Sequence, residues 1–285
     1  MLTTVPLLSF AMSLKLQQHD IDRWDEEGVL VLRNFFDTDQ VDAVNDAVDK
    51  LWQDRGALVP KIVIDTHIQS VRSFRQLLKY ASLETRRHPY KINDLYLENP
   101  AIRAMSLNSS LCEHLTELLG GTPMAFNSLN FEHGSQQNNH RDTLFMPSRL
   151  PNKMLGSWIA LEEVSTVNGP IHYYPGSHKI PPFRFSNGKQ NAVAAELHEF
   201  DAYMSAAIRE RSIEPVAFEA GAGDVLIWHA ELLHGGAAIV NKHSTRKSLV
   251  THYYRKQDYW HRFWQIRREH GKGYFLKRSH QAVRI

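Results

Sequence analysis

The chain has 285 residues, which suits one large domain, and its 42% hydrophobic content is enough for a core of ordinary size. Its 33 basic and 31 acidic residues give a formal charge of +2, which argues against the strongly basic surface of a nucleic-acid-binding protein. A single cysteine excludes an internal disulfide and fits a reducing, cytoplasmic location, and no apolar run approaches the ~18 residues of a membrane span.

Helical patterns dominate the first part of the chain. Residues 38–54 are predicted to form a helix, because Asp37 can cap the first turn together with Gln40 three residues later. The apolar residues of this segment recur on one face, which indicates a side packed on a core. Pro100 suits the first turn of a second helix. A third helix is predicted over residues 111–119, and its cysteine is expected to be a buried thiol.

The segment over residues 70–90 is basic and is predicted to be helical or irregular. Its charges can form a solvated face or a substrate-facing lid that attracts an anion. Together with two later basic residues, this segment favours an anionic or polar substrate over a bare hydrocarbon. The basic residues concerned are Arg72, Arg75, Arg86, Arg87, Lys179 and Arg184.

The second half of the chain changes to short strands separated by glycine, proline and asparagine turns, which is typical of a β-sandwich or barrel. Strands are predicted over residues 123–132, 223–228 and 248–254. The pattern breaks over residues 183–215, where residues 196–211 predict an inserted helix. Because this insertion falls between the two halves of the motif described below, it is a candidate active-site cover.

These elements predict one mainly β domain with flanking helices, a double-stranded β-helix or jelly-roll barrel of the cupin-like kind. We interpret residues 1–19 as an N-terminal extension and residues 20–285 as the single domain. Helical support is expected over about residues 20–121, and the jelly-roll core over about residues 122–255, with the cover inserted in it. The aromatic and basic segment over residues 259–264 is expected to pack on the barrel or a partner subunit rather than to bind single-stranded nucleic acid.

A histidine, an aspartate and a second histidine form a candidate metal site. Two imidazoles and one carboxylate are the protein ligands of the facial triad that holds non-haem Fe(II) with open positions. His140 and Asp142 are two residues apart, so on a strand they project to one face, whereas Arg141 points away. His234 completes the set, and Arg246 can grip a carboxylate bidentately. The alternative is that all of these are solvated loop residues.

Four further histidines lie near these motifs, namely His172, His178, His229 and His252. His229 directly follows the strand over residues 223–228 and is the alternative to His234, but the Gly-Gly pair that follows His234 is missing there. His178 lies in a Pro-Gly-Ser-His turn and is expected to have a structural role.

Several blocks of sequence occur in a recognisable order. They are residues 21–36, 136–145, 158–163, 168–179, 223–236 and 246–249. Among them, the Asn-Gly-Pro…Pro-Gly-Ser-His block is a more specific family signature than the His-x-Asp motif. Together they resemble the phytanoyl-CoA dioxygenase family of Fe(II)/2-oxoglutarate-dependent oxygenases, over about residues 20–255.

The resemblance implies specific roles for residues of this chain. His140, Asp142 and His234 would bind Fe(II), with 2-oxoglutarate and O₂ as co-substrates. Arg246 would pair with the distal carboxylate of 2-oxoglutarate, and Trp158 would lie near it. Further candidate contacts to 2-oxoglutarate are Asn127 or Asn130, and Lys91.

Two positions depart from the family pattern. Some relatives have a hydroxyl residue two positions after the distal histidine, where this chain has Gly236. Arg246 also lies twelve residues after His234, where eleven is common, so the turn over residues 241–244 must accommodate one extra residue.

The implied activity is hydroxylation of an unactivated C–H bond in a small polar or anionic metabolite, with release of succinate and CO₂. Related halogenases lack a carboxylate at the position of Asp142, so its presence favours hydroxylation, or desaturation or ring closure. The alternatives are a cupin-like metal-dependent isomerase or lyase and a non-catalytic jelly-roll binding protein. No membrane or nucleic-acid partner is expected, and the oligomeric state stays open.

Overall fold

The computed structural model describes residues 15–58, 61–68, 74–269 and 273–283. Arg72 and most of the predicted extension over residues 1–19 therefore lie outside the described residues. The helices within these ranges are α1 (Gln18–Glu27), α2 (Thr38–Gln53), α3 (Pro100–Ser106), α4 (Ser109–Leu119) and α5 (Leu197–Glu210). None of the described helices has the length and apolar character needed to cross a membrane.

The predicted helices are confirmed, with ends that differ by only one or two residues. The backbone N–H of Gln40 donates to the Asp37 carboxylate at 2.8 Å, and the Gln40 side chain accepts from the Asp37 N–H, so the capping box forms at the start of α2. Gly120 ends α4 with a φ of 64°, a left-handed conformation that favours glycine. These local signals are sufficient to place both helices.

The strands within the described ranges are β1 (Val29–Leu32), β2 (Val63–Thr66), β3 (Phe74–Leu77), β4 (Tyr90–Asn93), β5 (Pro123–Phe131), β6 (Met154–Ala160), β7 (Ile171–Tyr173), β8 (Val216–Phe218), β9 (Val225–His229), β10 (His234–Gly236), β11 (Ser248–Arg255), β12 (Ile266–Glu269) and β13 (Gly273–Leu276). The large sheet has the order β1-β9-β6-β11-β5-β4-β2-β3, and β13 pairs with β5 and with β12. A small sheet has the order β10-β7-β8.

The expected mainly β architecture is confirmed, but the described strands do not close into a barrel. The strands of the small sheet are only three residues long. At one edge of the small sheet, His234 forms a bridge with His140. Near the other edge, Ala220 forms a bridge with Val164. His140 and Val164 both lie in loops. The small sheet is therefore joined to loops rather than to the edge strands of the large sheet.

Alternation along the strands divides the core into two layers. On β9, Leu226 and Trp228 pack in the cluster between the two sheets. Val225 and Ile227, on the opposite face, pack with the helices α1 to α4. This period of two places one face of the large sheet against the small sheet and the other against the helical layer.

The region expected to give helical support also contributes strands to the large sheet. β1 pairs with β9, and β4 joins β2 and β3 to β5. The basic segment over residues 70–90 thus contains β3 as well as short 3₁₀ turns, which corrects the helical or irregular prediction. Strands of four residues are too short for a period-two pattern to be distinguished from irregular chain.

The C-terminal aromatic segment packs only in part. The ring of Tyr259 stacks on Tyr254 with centroids 4.7 Å apart, whereas Trp260, Phe263 and Trp264 are exposed. The chain then returns through β12 and β13, which were not predicted.

The inserted helix is confirmed as α5. Phe200 and Met204 are buried on one side of it, in a cluster with Leu144 and Leu233. Leu144 follows the His-x-Asp motif and Leu233 precedes His234, so the insertion packs directly beside the candidate metal site.

Candidate metal centre

The three predicted metal ligands meet where the small sheet contacts the loop after β5. The backbone groups of His140 and His234 exchange hydrogen bonds of 2.9 and 3.1 Å, and their rings lie 4.4 Å apart. Asp142 opens a single 3₁₀ turn, so His140 and Asp142 are not on a continuous strand, in contrast to the prediction. Their side chains converge because the bridge to His234 holds the loop.

The geometry of the three side chains fits one metal ion. Asp142 Oδ1 lies 3.8 Å from His140 Nε2 and 3.7 Å from His234 Nε2. The three ligand atoms lie within 4.8 Å of one another. An ion with ligand distances of about 2.0–2.2 Å can contact all three atoms from one position with only small side-chain adjustments.

Hydrogen bonds orient both imidazoles for metal binding. His140 Nδ1 lies 2.8 Å from the carbonyl oxygen of Asn138, and His234 Nδ1 lies 3.0 Å from that of Leu232. Because a carbonyl only accepts, each Nδ1 carries a proton, which leaves Nε2 as the ring atom that can bind a metal. Burial, with a smaller effect of the neighbouring His234, lowers the pKa of His140 to about 3, so this ring is neutral.

The second oxygen of Asp142 is held from the side away from the other ligands. Trp228 Nε1 donates to Oδ2 at 2.7 Å, and His252 Nε2 lies 3.4 Å from the same oxygen. Burial alone would raise the pKa of this carboxyl, but the imidazoles of His252 and His234 outweigh that effect and hold the pKa well below its usual range. Asp142 is thus a buried carboxylate with Oδ1 directed to the centre.

Trp228 and His252 are not among the site residues that the sequence predicts. Both lie on strands that were predicted, and period-two alternation puts Trp228 on the face of Leu226 and His252 on the face of Val250. That alternation could have placed them on the inner face. It could not have shown that both reach the same oxygen of Asp142.

Arg246 is a buried cation in the same cavity as the three ligands. Its exposed fraction is 3%, and its backbone N–H donates to the Glu132 carbonyl next to β5, which fixes its position. One guanidinium nitrogen donates to the Gly169 carbonyl at 3.0 Å, while Nε has no hydrogen-bond partner. The rings of Phe131 and Trp158 lie 5.9 and 5.7 Å away.

No carboxylate among the described residues forms an ion pair with Arg246. Burial lowers its pKa to about 10, against a smaller opposite effect of the more distant Glu162 carboxylate, so the side chain remains a cation at neutral pH. A buried charge without a counter-ion is costly unless a ligand supplies one. An anionic ligand between Arg246 and the three candidate metal ligands could therefore supply the missing counter-charge.

The other residues predicted to contact 2-oxoglutarate do not all line the cavity. Trp158 lines the cavity. Asn127 is hydrogen-bonded to His252 Nδ1 at 3.0 Å, whereas Asn130 lies on the opposite face of β5 and contacts the Ser248 carbonyl at 3.5 Å. Lys91 lies 3.7 Å from Asp65 and is not among the described residues that line the cavity.

His229 and His178 lie apart from the site. His229 lies on the face of β9 opposite to Trp228, and its ring is 6.0 Å from Trp24 and 5.3 Å from His178. Burial lowers the pKa of His229 to about 3. The geometry thus selects His234 over His229. Arg141 points away, as expected, and donates to the carbonyls of the segment after β7.

A hydroxyl lies beside the glycine that departs from the family pattern. A Cβ built on Gly236 would be 2.7 Å from the Ser135 hydroxyl oxygen. Both residues line the cavity. The Ser135 side chain, from the loop after β5, therefore takes the space that a side chain at position 236 would fill.

A wider groove adjoins the cavity and shares Gln137 and His140 with it. One wall is formed by the loop over residues 136–139 and Phe145, and another by α5, through Leu197, Phe200 and Asp201. The insertion between the halves of the motif therefore borders the approach to the metal-binding side chains.

The basic residues that favoured an anionic substrate are largely engaged elsewhere. Arg75 donates to Asp65 at 2.6 and 2.8 Å, Arg86 binds Glu132 and Asp49, and Arg87 pairs with Glu84. None of the described members of this set lines the cavity or the groove.

A family model described as Phytanoyl-CoA dioxygenase (PhyH) matches residues 24–248, most of the chain. The chain belongs to the phytanoyl-CoA dioxygenase family. Two similar curated proteins are the phytanoyl-CoA dioxygenase domain-containing protein 1 homologs of Caenorhabditis briggsae and Caenorhabditis elegans, with 23% and 22% identity over 55% of this chain. The match spans 63% and 64% of the length of these two relatives.

Solved structures confirm the fold class. The non-heme alpha-ketoglutarate-dependent epimerase SnoN from nogalamycin biosynthesis is 17% identical, with a TM-score of 0.61 over 83% of this chain and 82% of its own. EctD from S. alaskensis, with 2-oxoglutarate and 5-hydroxyectoine, is 19% identical, with a TM-score of 0.60 over 85% of this chain and 77% of its own. At such identities the likeness establishes a shared fold, not a shared substrate.

Proposed function

We propose that this chain is an Fe(II)/2-oxoglutarate-dependent oxygenase. In this proposal His140, Asp142 and His234 hold Fe(II), and Arg246 binds the distal carboxylate of 2-oxoglutarate. The buried guanidinium of Arg246 carries the proposal, because it shares the cavity with the three ligands and has no carboxylate partner among the described residues. A dicarboxylic 2-oxo acid suits both ends of such a cavity, since one end can chelate a metal and the other can pair with an arginine.

The donor set supports iron with open coordination positions. Two neutral imidazole nitrogens and one carboxylate oxygen form a 2-His-1-carboxylate facial triad, the arrangement of non-haem Fe(II) oxygenases. When bound, Fe(II) with 2-oxoglutarate and O₂ supplies oxidising power, and 2-oxoglutarate is converted to succinate and CO₂. The protein's contribution is to bind, orient and shield the reactants.

Ser135 is part of the proposed 2-oxoglutarate site. Its hydroxyl lies beside Gly236, where some relatives carry a hydroxyl side chain, and it lines the same cavity as Arg246. A hydroxyl can donate to a carboxylate oxygen, so Ser135 replaces the hydrogen bond that Gly236 cannot make. Trp158 forms the apolar wall beside the guanidinium.

We propose hydroxylation of a C–H bond in a small metabolite that enters along the groove beside α5. The carboxylate at position 142 occupies the coordination position that related halogenases leave to a halide. Two solved structures with this fold are named as an epimerase and a carbocyclase. Product analysis must therefore distinguish hydroxylation from epimerisation and ring closure. The groove combines the amides of residues 136–139 with apolar side chains, which favours a polar substrate with an apolar portion.

The test is anaerobic visible spectroscopy of the protein with Fe(II), before and after 2-oxoglutarate is added. We expect a weak charge-transfer band in the wild type and none with Asp142→Ala. Arg246→Met should still bind Fe(II) but need roughly 10- to 100-fold more 2-oxoglutarate, since it loses hydrogen bonds to a charged group worth about 1.5–3 kcal/mol. Arg87→Met, a substitution of an exposed arginine, is the matched control.

Wild-type affinity for 2-oxoglutarate in Arg246→Met would contradict the proposed anchor. Metal binding without the band, and turnover without succinate, would favour a cupin-like isomerase or lyase. Ligand binding that persists in His140→Ala would favour a non-catalytic binding protein.

A further inference from the structure

A network of polar side chains connects Oδ2 of Asp142 with the C-terminal segment, residues 273–283. Its members are buried, except Arg278, whose side chain is half-buried. His252 Nε2 lies 3.4 Å from Asp142 Oδ2, and His252 Nδ1 lies 3.0 Å from Asn127 Oδ1. The Asn127 amide nitrogen donates to Asp94 Oδ1 at 3.2 Å. Arg278 closes the network with contacts of 2.9 and 2.8 Å from one guanidinium nitrogen to the two oxygens of Asp94.

Because Arg278 can only donate, it determines the donor and the acceptor of each hydrogen bond in this network. Arg278 can only donate, and the Asp94 carboxylate accepts from it and from the amide nitrogen of Asn127. The amide oxygen of Asn127 therefore faces His252, whose Nδ1 donates to it. This fixes the orientation of the imidazole and directs Nε2 at Asp142 Oδ2. The contact is a hydrogen bond in the imidazolium form, in which both ring nitrogens carry a proton and Nε2 donates to the carboxylate.

The members of this network are held firmly in place. Asp94 is completely buried, and Asn127 and His252 are buried beside it. Asp94 has a φ of 60°, and its carboxylate also accepts from the Ser128 backbone N–H at 3.4 Å. Arg278 additionally donates to the Phe126 carbonyl of β5 at 3.2 and 3.1 Å. The contacts join β5, β11 and the segment after β13.

Two of the four side chains lie beyond the part of the chain that matches the family model. That match ends at residue 248, before His252 and Arg278. The network of contacts thus depends on the C-terminal segment. The parallel pairing of β13 with β5 brings this segment to the candidate metal site.

We propose that Arg278, Asp94, Asn127 and His252 are positioning residues that hold Asp142 in its metal-binding orientation. They fix Oδ2 from behind, together with Trp228, so that Oδ1 faces the two histidines. Contacts behind metal ligands orient the ligands and are typically worth ten- to a hundredfold in metal affinity. This inference rests on the metal site of the proposed function, but not on 2-oxoglutarate or on turnover.

The test is the dissociation constant of the full-length protein for Co(II), without 2-oxoglutarate, in parallel with the visible Co(II) spectrum and thermal unfolding. We expect His252→Gln to weaken Co(II) binding about ten- to a hundredfold and Arg278→Gln about three- to tenfold, with altered Co(II) bands in both. Arg278→Lys should recover part of the loss, because a cation again faces Asp94.

Arg103→Gln is the matched control. Arg103 also connects the hairpin of β12 and β13 to the rest of the domain. It donates to the carbonyls of Tyr96 and Leu97 and forms an ion pair of 3.3 Å with Glu269. It contacts none of the four positioning residues. Its loss should lower the unfolding temperature and leave Co(II) affinity within about twofold of the wild type, as expected for sites that act independently.

Equal Co(II) affinities for Arg278→Gln and Arg103→Gln, with an unchanged spectrum in His252→Gln, would overturn the proposal. If Arg278→Gln does not fold, His252→Gln decides, since it leaves the Asp94–Arg278 pair intact. A wild type that binds Co(II) but gives no 2-oxoglutarate band with Fe(II) would refute the proposed function and leave this comparison valid. A wild type that binds no Co(II) would refute the positioning role as well.

Discussion

Trp228 donates the hydrogen of its indole nitrogen to Oδ2 of Asp142 over 2.7 Å. This hydrogen bond and the contact of His252 with the same oxygen leave the other oxygen of the carboxylate turned toward the two histidines. The two residues are 86 positions apart in the sequence. They meet because Trp228 lies on the face of β9 that packs against the small sheet, and the loop that carries the motif is bridged to that sheet through His140 and His234.

Trp228→Phe removes this donor while keeping an aromatic ring in the core. We expect Fe(II) binding to weaken by about tenfold or more, because the carboxylate loses a contact that orients it. Competition with a chelator under anaerobic conditions measures the change. Trp158→Phe is the matched control, since the Trp158 indole nitrogen is buried without a hydrogen-bond partner and its loss should leave Fe(II) affinity unchanged. Equal losses in both variants would refute this assignment.

Gly156 makes room for the indole of Trp228. The two residues face each other between β6 and β9, and a Cβ at position 156 would lie 2.3 Å from the Trp228 ring. We expect Gly156→Ala to lower the free energy of unfolding by about 1–3 kcal/mol, the usual cost of overpacking, and to weaken Fe(II) binding by displacing the indole. Denaturant unfolding and chelator competition test both effects. Gly56→Ala, where no atom lies within 4 Å, should change neither.

Arg86 is expected to stabilise the fold rather than to bind substrate. It donates to both oxygens of Glu132 at 2.8 and 2.9 Å, and Tyr90 donates to Glu132 at 2.6 Å. Arg86→Met would leave the buried Glu132 carboxylate without its cation, a change that costs about 3–5 kcal/mol in comparable buried pairs. Urea unfolding measures the loss, and the affinity for 2-oxoglutarate should stay unchanged under folding conditions. A stable variant with altered substrate preference would support the earlier lid interpretation instead.

Cys112 is expected to be unreactive in the folded protein. The thiol is buried in α4, and burial raises its pKa to about 12, against about 8.5 for an exposed cysteine. The thiolate is the reactive form, so at pH 8 alkylation should be about a thousandfold or more slower than in the unfolded chain, and should quicken about tenfold per pH unit while the protein stays folded. The same protein in guanidinium chloride is the control. Rapid alkylation of the folded protein at pH 8 would contradict the predicted burial effect.

Local chemistry made several parts of this protein predictable. The Asp37–Gln40 capping box and Gly120 lie within a few residues of the helix ends that they determine, and α5 is recognisable because its turns are formed by neighbouring residues. His140, Asp142 and His234 could be selected because few side chains bind metals and their order is distinctive. The same holds for Arg246, the cation expected to face a carboxylate.

Contacts between distant residues could not be predicted in this way. β2, β3 and β4 are short, and they become strands by pairing with one another and with β5. Ser135 lies beside Gly236, and Arg278 binds Asp94 across 184 residues, because separate strands meet in one sheet or across two sheets. Residue types and spacing were enough to select His140, Asp142 and His234 as candidate metal ligands, and the structure brings them together. The orientation of those side chains depends on Trp228 and His252, which only the tertiary fold brings to Asp142.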